Sequence, residues 1–139
     1  MPPVNIWAVL LATLSTMIVG SIWYTPKVFG NRWMQLTGVE PGETSSAVGP
    51  IIITVIVSFV TAYALAILTT MAHEFNGGSY LGNALLIGVI GWAGFTAARF
   101  ITHDAFEGRP TALTTLNIGN ELVTVLVMAL IIGAFGSPA

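Results

Sequence analysis

The chain has 139 residues, 55% hydrophobic and only 7% charged, with a mean hydropathy of +0.85 and a net charge of −2. Soluble domains carry roughly 25% charged residues, so a chain this poor in charge cannot cover a water-facing surface and is placed in lipid. The acidic balance and the lack of a Lys/Arg cluster argue against a nucleic-acid partner, and the absence of cysteine removes disulfides, thiolate zinc sites and thiol nucleophiles together.

Four apolar stretches, at about 4–24, 51–72, 80–101 and 113–135, each come near the roughly 20 residues that a helix needs to cross the hydrocarbon layer. A spanning helix satisfies its own backbone groups, so the expected fold is all-α: a single four-helix transmembrane domain over residues 1–139. The first stretch reads as a span rather than a cleaved leader, because its first basic residue, Lys27, follows the apolar run. Four spans put both termini on one side. Lys27, Arg32 and Arg109 fall in the two loops of the other side, 25–50 and 102–112, and Arg99 borders the second. The positive-inside rule makes those loops cytoplasmic and both termini external, with a bacterial inner membrane as the expected location. Trp23, Tyr24 and Trp33 mark the inner interface, and Trp7, Phe75 and Tyr80 the outer one.

The first loop is expected to carry a short interfacial helix. Thr25 reads as its N-cap, Pro26 as its first residue and Gly38 as its stop, with Val28, Phe29, Trp33 and Leu36 on one face. Residues 39–50, rich in Gly, Pro, Ser and Thr, read as a flexible connector, and residues 73–79 as a tight turn around Gly77 and Gly78.

Small residues recur along the helices. Ala8, Ala12, Thr16 and Gly20 form one seam, Thr54, Ser58, Ala62, Ala66 and Thr70 a second, and Gly88, Gly91, Gly94 and Ala98 a third. In lipid, such seams let backbones approach and gain dispersion contacts, so they are read as packing surfaces in preference to pore lining.

The stretch from Arg99 to Glu121 concentrates the polar groups. Glu121 lies near the bilayer midplane, where an ionised carboxylate costs at least about 2.5–3.5 kcal/mol. It is therefore neutral, paired or in contact with water. Thr114, Asn117, Glu121 and Thr124 share a helix face and Asn120 lies beside them. Arg99, with His103 one turn on, is the candidate partner. Two readings stay open: a polar, proton-linked site facing the cytoplasm, or a buried Arg99–Glu121 pair with Asn117 and Asn120 fixing helix register. His103, Asp104 and Glu107 at the inner mouth read as mutually paired and solvated. No metal or other cofactor is expected, because His73 and His103 fall on opposite sides and no metalloprotease or phosphate-loop motif is present.

The pattern Gly20-Ser-Ile-Trp23-Tyr24-Thr-Pro26-x-x-Phe29-Gly30-x-x-Trp33, followed by Phe106-Glu107-Gly108-Arg109-Pro110 and Asn117-x-Gly119, resembles the bacterial and fungal membrane proteins grouped as domain of unknown function 1761. The resemblance spans nearly the whole chain. It implies a small four-helix membrane protein with no established activity, and carries over Trp23, Tyr24, Pro26, Gly30, Trp33, Glu107, Arg109 and Asn117 as inner-face motif residues. Where the family pattern often has an aromatic after Asn-x-Gly, this chain has Asn120.

The expected function is that of a small-solute or ion transporter or channel, working as a homo-oligomer in the lipid bilayer because four helices enclose little space alone. The alternatives are a non-catalytic structural or accessory membrane protein and, third, a membrane-embedded enzyme or lipid-headgroup binder; no enzyme activity is expected.

Overall fold

The computed structural model describes residues 1–39 and 47–138, and every regular element among them is helical. The elements are α1 (Ile6–Trp23), α2 (Gly30–Thr37), α3 (Val48–Asn76), α4 (Tyr80–Gly91), a π-helical segment (Trp92–Ala97), α5 (Ala98–Glu107) and α6 (Thr111–Phe135). The π segment joins α4 to α5 without a break, so four helices are long and apolar enough to cross a membrane: Ile6–Trp23, Val48–Asn76, Tyr80–Phe106 and Thr111–Phe135.

Local chemistry explains the boundaries. Asn5 caps α1, its Oδ1 accepting from the backbone N–H groups of Trp7 at 3.0 Å and Ala8 at 3.3 Å. α3 begins three residues before the apolar run suggests. Its Pro50 sits in the first turn, where a missing N–H leaves no hydrogen bond unmade. It also runs one turn beyond the expected end, to Asn76, because His73–Asn76 contains no helix breaker before Gly77. The expected turn over 73–79 is therefore only 77–79. The third span likewise continues past residue 101 to Glu107 and stops at Gly108, whose φ of 68° is the left-handed conformation that glycine adopts without strain. The expected loop 102–112 contracts to residues 108–110, and Arg99 and His103 lie within a helix. The expected connector over 39–50 falls largely outside the described residues, and its last three positions belong to α3.

The short helix after α1 differs from expectation. Thr25 is not its N-cap. The Thr25 hydroxyl donates back to the Ile22 carbonyl at 2.9 Å, and its own carbonyl accepts from Val28 and Gly30. A turn therefore occupies Thr25–Phe29, Pro26 included, and α2 starts at Gly30. The expected stop at Gly38 is observed, with φ 74°.

α1 packs on α3 and α6, α4 packs on α3 and α6, and α3 and α6 touch only slightly. The chain termini and the 77–79 turn share one end, here the termini end; α2 and the 108–110 turn share the other, the corner end. The core lies toward the termini end, where Ala8, Val9 and Ala12 of α1 meet Ala62, Leu65 and Ala66 of α3, Tyr80 and Ala84 of α4, and Met128, Ala129 and Ile132 of α6. A Cβ on Gly133 would stand 2.7 Å from the Leu81 Cα, so glycine allows α4 and α6 their close crossing there. The Tyr80 and Thr70 hydroxyls meet at 3.0 Å, and Thr70 also reaches the Pro3 carbonyl at 3.2 Å. Asn83 donates to the Gly77 and Ser79 carbonyls and closes the turn.

The small-residue seams behave as packing surfaces over only half their length. Ala8 and Ala12, and Ser58, Ala62, Ala66 and Thr70, are buried. Toward the corner end every buried residue of α3 is lost: none lies between Val48 and Val57. In that half Ile51, Ile52, Ile53, Val55, Ile56 and Val57 are exposed. On the third seam Gly88 meets Ala129, whereas Gly91 and Gly94 face open space.

Candidate functional site

The corner after α1 is an aromatic clamp. The rings of Trp23 and Phe29 lie 4.5 Å apart, and those of Tyr24 and Trp33 meet edge-on at 5.9 Å. The corner closes because residue 30 has no side chain. A Cβ on Gly30 would collide with the Tyr24 carbonyl oxygen and lie 2.7 Å from the Thr25 carbonyl carbon. The clamp is fastened to α6 at two points. The Trp23 ring lies over Gly119, and the Tyr24 hydroxyl donates to Asn117 Oδ1 at 3.0 Å. Between these two points on α6, the indole N–H of Trp92, from the π segment, donates to the Ile118 carbonyl at 2.8 Å. A mid-helix π turn widens the helix and re-aims its side chains, which is how Trp92 comes to face α6.

A second polar group gathers where α5 meets α6. Asp104 is buried and accepts from the Thr114 hydroxyl at 2.7 Å. Arg109 reaches over it: its backbone N–H donates to the Asp104 carbonyl at 2.9 Å, while Nε lies 3.8 Å from Asp104 Oδ1 and 2.8 Å from Glu107 Oε2. The hydrogen bond to Glu107 and that residue's charge raise the affinity of the Arg109 guanidinium for its proton above the ordinary value. Arg99 and His103, both exposed, line a shallow depression here with Asp104, Glu107, Arg109 and Asn117. Arg99 donates to the Thr102 hydroxyl at 3.2 Å. Among the described residues no ion pair joins it to Glu121, and no three His, Asp or Glu side chains converge as metal ligands would. Of the two readings left open, the paired one is not formed here, because Arg99 bonds to Thr102 in its own next turn while Glu121 faces α1 and α3.

Glu121 lies instead in a cleft between the corner-end halves of α1, α3 and α6, with a volume of about 600 Å³. Divergence of α3 opens it. Its walls carry Thr16, Gly20, Ser21 and Tyr24 from the first span and corner, Thr54, Ser58 and Thr61 from α3, and Asn120, Glu121 and Thr124 from α6. Ten residues from the start of α6, Glu121 is roughly 15 Å from that helix end. Its carboxylate has no hydrogen bond or ion pair with another described residue. Thr16 Oγ1 and Asn120 Oδ1 are buried and also lack partners.

The polar stretch therefore divides. Asn120 and Glu121 face the cleft, as does Thr124; Asn117 faces the depression that also holds Arg99 and His103, and Thr114 faces Asp104. The Tyr24–Asn117 hydrogen bond lies between the two groups. Trp23, Tyr24, Gly30 and Trp33 come together in the clamp and Glu107 with Arg109 at the α5–α6 turn, while Pro26 stands exposed in the turn that leads to α2. Sequence reasoning assigned Thr16, Gly20, Thr54 and Ser58 to helix packing. Ser58 is buried and lines the cleft as well, while Thr16, Gly20 and Thr54 are only half-buried. The roles of Ser21 and Thr61 carried no sequence signal of their own.

No curated protein and no solved structure matches the chain. A family model described as "Protein of unknown function (DUF1761)" matches residues 7–133, a span that holds the whole clamp, the α5–α6 turn and the cleft, and the chain belongs to that family.

Proposed function

We propose that the protein is an integral membrane protein whose cleft admits a small solute or ion, with the corner end in the cytoplasm and both termini outside. The observation that carries this reading is Glu121, which has no hydrogen bond or ion pair with another described residue and lines a cleft of about 600 Å³ together with hydroxyl and amide side chains. A carboxylate at that depth needs a partner or water, and no basic side chain lines the cleft. All four Lys and Arg residues lie toward the corner end, which supports the orientation. Because one copy encloses little space, the protein is taken to act as a homo-oligomer, without catalysing a covalent reaction.

A structural or accessory role is the second reading. It is favoured by the inter-helix bonds Tyr24–Asn117, Trp92–Ile118 and Thr114–Asp104, each of which fixes register between neighbours.

Infrared difference spectroscopy separates the two. The carboxyl bands of the reconstituted protein, less those of Glu121→Gln, are recorded across pH and after transfer to D2O. A Glu121 band that titrates and shifts within minutes in D2O is expected for a hydrated cleft. A band that does neither over hours would overturn the cleft reading in favour of the structural one.

A further inference from the structure

Several of the hydroxyls on the cleft walls have already committed their protons. Ser21 donates its hydroxyl proton to the Met17 carbonyl at 2.6 Å, Thr54 to Pro50 at 2.7 Å and Thr61 to Val57 at 3.0 Å. Tyr24 donates to Asn117. Each of these four side chains has committed its proton elsewhere and can offer the cleft only oxygen lone pairs. Glu121 adds a carboxylate; the Asn120 amide oxygen on the same wall is buried and without a partner. Ser58 and Thr124 make no such bond and can accept or donate, while the Thr16 hydroxyl oxygen is buried without a partner. No Lys, Arg or His lines the space.

We propose that this acceptor-lined cleft binds a small organic ammonium ion, with Glu121 as its counter-charge. An occupant of matching chemistry carries one positive charge and N–H donors. A bare divalent ion fits poorly, since it requires about six or more oxygens converging at roughly 2–2.6 Å and the cleft has one carboxylate. The volume falls in the range of sites for small organic ligands. Met17, Ile51, Val57 and Met128 supply apolar contact for a hydrocarbon substituent. Tyr24 is the other titratable lining residue. α2 contributes only the exposed Arg32, and the charged groups of α5 line the separate depression.

This inference rests on the solute-cleft reading above and deepens it, so the experiment has two arms. In the first, protein in phosphatidylcholine nanodiscs is titrated calorimetrically with benzylammonium, benzyl alcohol and benzoate, with empty nanodiscs as the blank. Benzylammonium is expected to bind at least tenfold more tightly than the other two. Glu121→Gln should reduce its affinity to that of the alcohol. Gly20→Leu should do the same by filling the cleft, since nothing lies within 4 Å of a Cβ placed there. Its helix content and melting temperature serve as the folding control. Equal binding of the ammonium and the alcohol, or ammonium binding unchanged in Glu121→Gln, would overturn the proposal.

In the second arm, Thr54→Cys is exposed to cationic and anionic methanethiosulfonates; the chain has no native cysteine to interfere. Faster reaction with the cationic reagent supports the proposal. Labelling by both at equal rates, with no preference for benzylammonium, overturns the ammonium inference and leaves the cleft reading standing. No labelling by either reagent overturns both.

Discussion

Gly30→Ala tests whether the aromatic corner is held by backbone contact. The added methyl would lie 2.7 Å from the Thr25 carbonyl carbon and 2.8 Å from its oxygen, besides colliding with the Tyr24 carbonyl. Carbon atoms pack best at about 3.5–4.0 Å, so α2 would have to move by the better part of an ångström. The obstructing atoms are all backbone, and no rotamer change relieves them. Overpacking of this kind costs about 1–3 kcal/mol, and with nothing able to yield, the upper part of that range is expected. For a chain of this size that is a fall in melting temperature of roughly 5–10 °C. The movement would pull Trp33 from Tyr24 and Phe29 from Trp23. The assay is thermal unfolding in detergent followed by far-UV circular dichroism, with near-UV dichroism reporting the aromatic corner. Gly20→Ala is the internal control: its Cβ meets nothing within 4 Å, so it should be neutral or raise helix stability by up to about 1 kcal/mol. If the two substitutions shifted the melting temperature equally, or if Gly30→Ala were stabilising, the reasoning from backbone contact would be refuted.

Other substitutions probe the connections to α6. Tyr24→Phe removes a donor from Asn117 and should destabilise by about 0.6–1.7 kcal/mol; in a double-mutant cycle with Asn117→Leu, a coupling energy near zero would show that the bond contributes nothing. Thr114→Val leaves the buried Asp104 carboxylate without its 2.7 Å donor and should cost about 1.5–3 kcal/mol. Thr114→Ser should restore most of the loss, and failure to do so would assign the effect to packing rather than the hydrogen bond. Arg109→Gln removes an exposed ion pair to Glu107 and the longer 3.8 Å contact to Asp104, whose carboxylate keeps its Thr114 donor. Little change in melting temperature is expected, with no dependence on added salt beyond that of the unaltered protein.

Periodicity and composition alone determined that the chain is helical, that four segments are long enough to span, and that the helix after the first span stops at Gly38. Those properties follow from backbone hydrogen bonding in an apolar setting and from local φ, ψ preferences, both carried by short stretches of sequence. Gly38 illustrates this: a glycine after an amphipathic turn stops the helix whatever surrounds it. Local signals were less decisive where polar residues continued a helix, as at Thr102–Glu107, because helix propensity outlasts hydrophobicity. Thr25-Pro26 had the composition of a helix start, yet it became a turn because the clamp returns its backbone bonds to the end of α1.

The tertiary structure alone decided which polar groups meet. Helical spacing placed Thr114, Asn117 and Glu121 on one face, but three different neighbours cover that face along its length, and each residue found a different environment. Reach along antiparallel helices made Arg99 a plausible partner for Glu121, whereas the direction in which each side chain leaves its helix separated them. The seam of small residues on α1 and α3 is continuous in sequence. Divergence of the two helices turned half of it into core and half into cleft, and a helix axis is set by packing summed over the whole length, which no local spacing encodes.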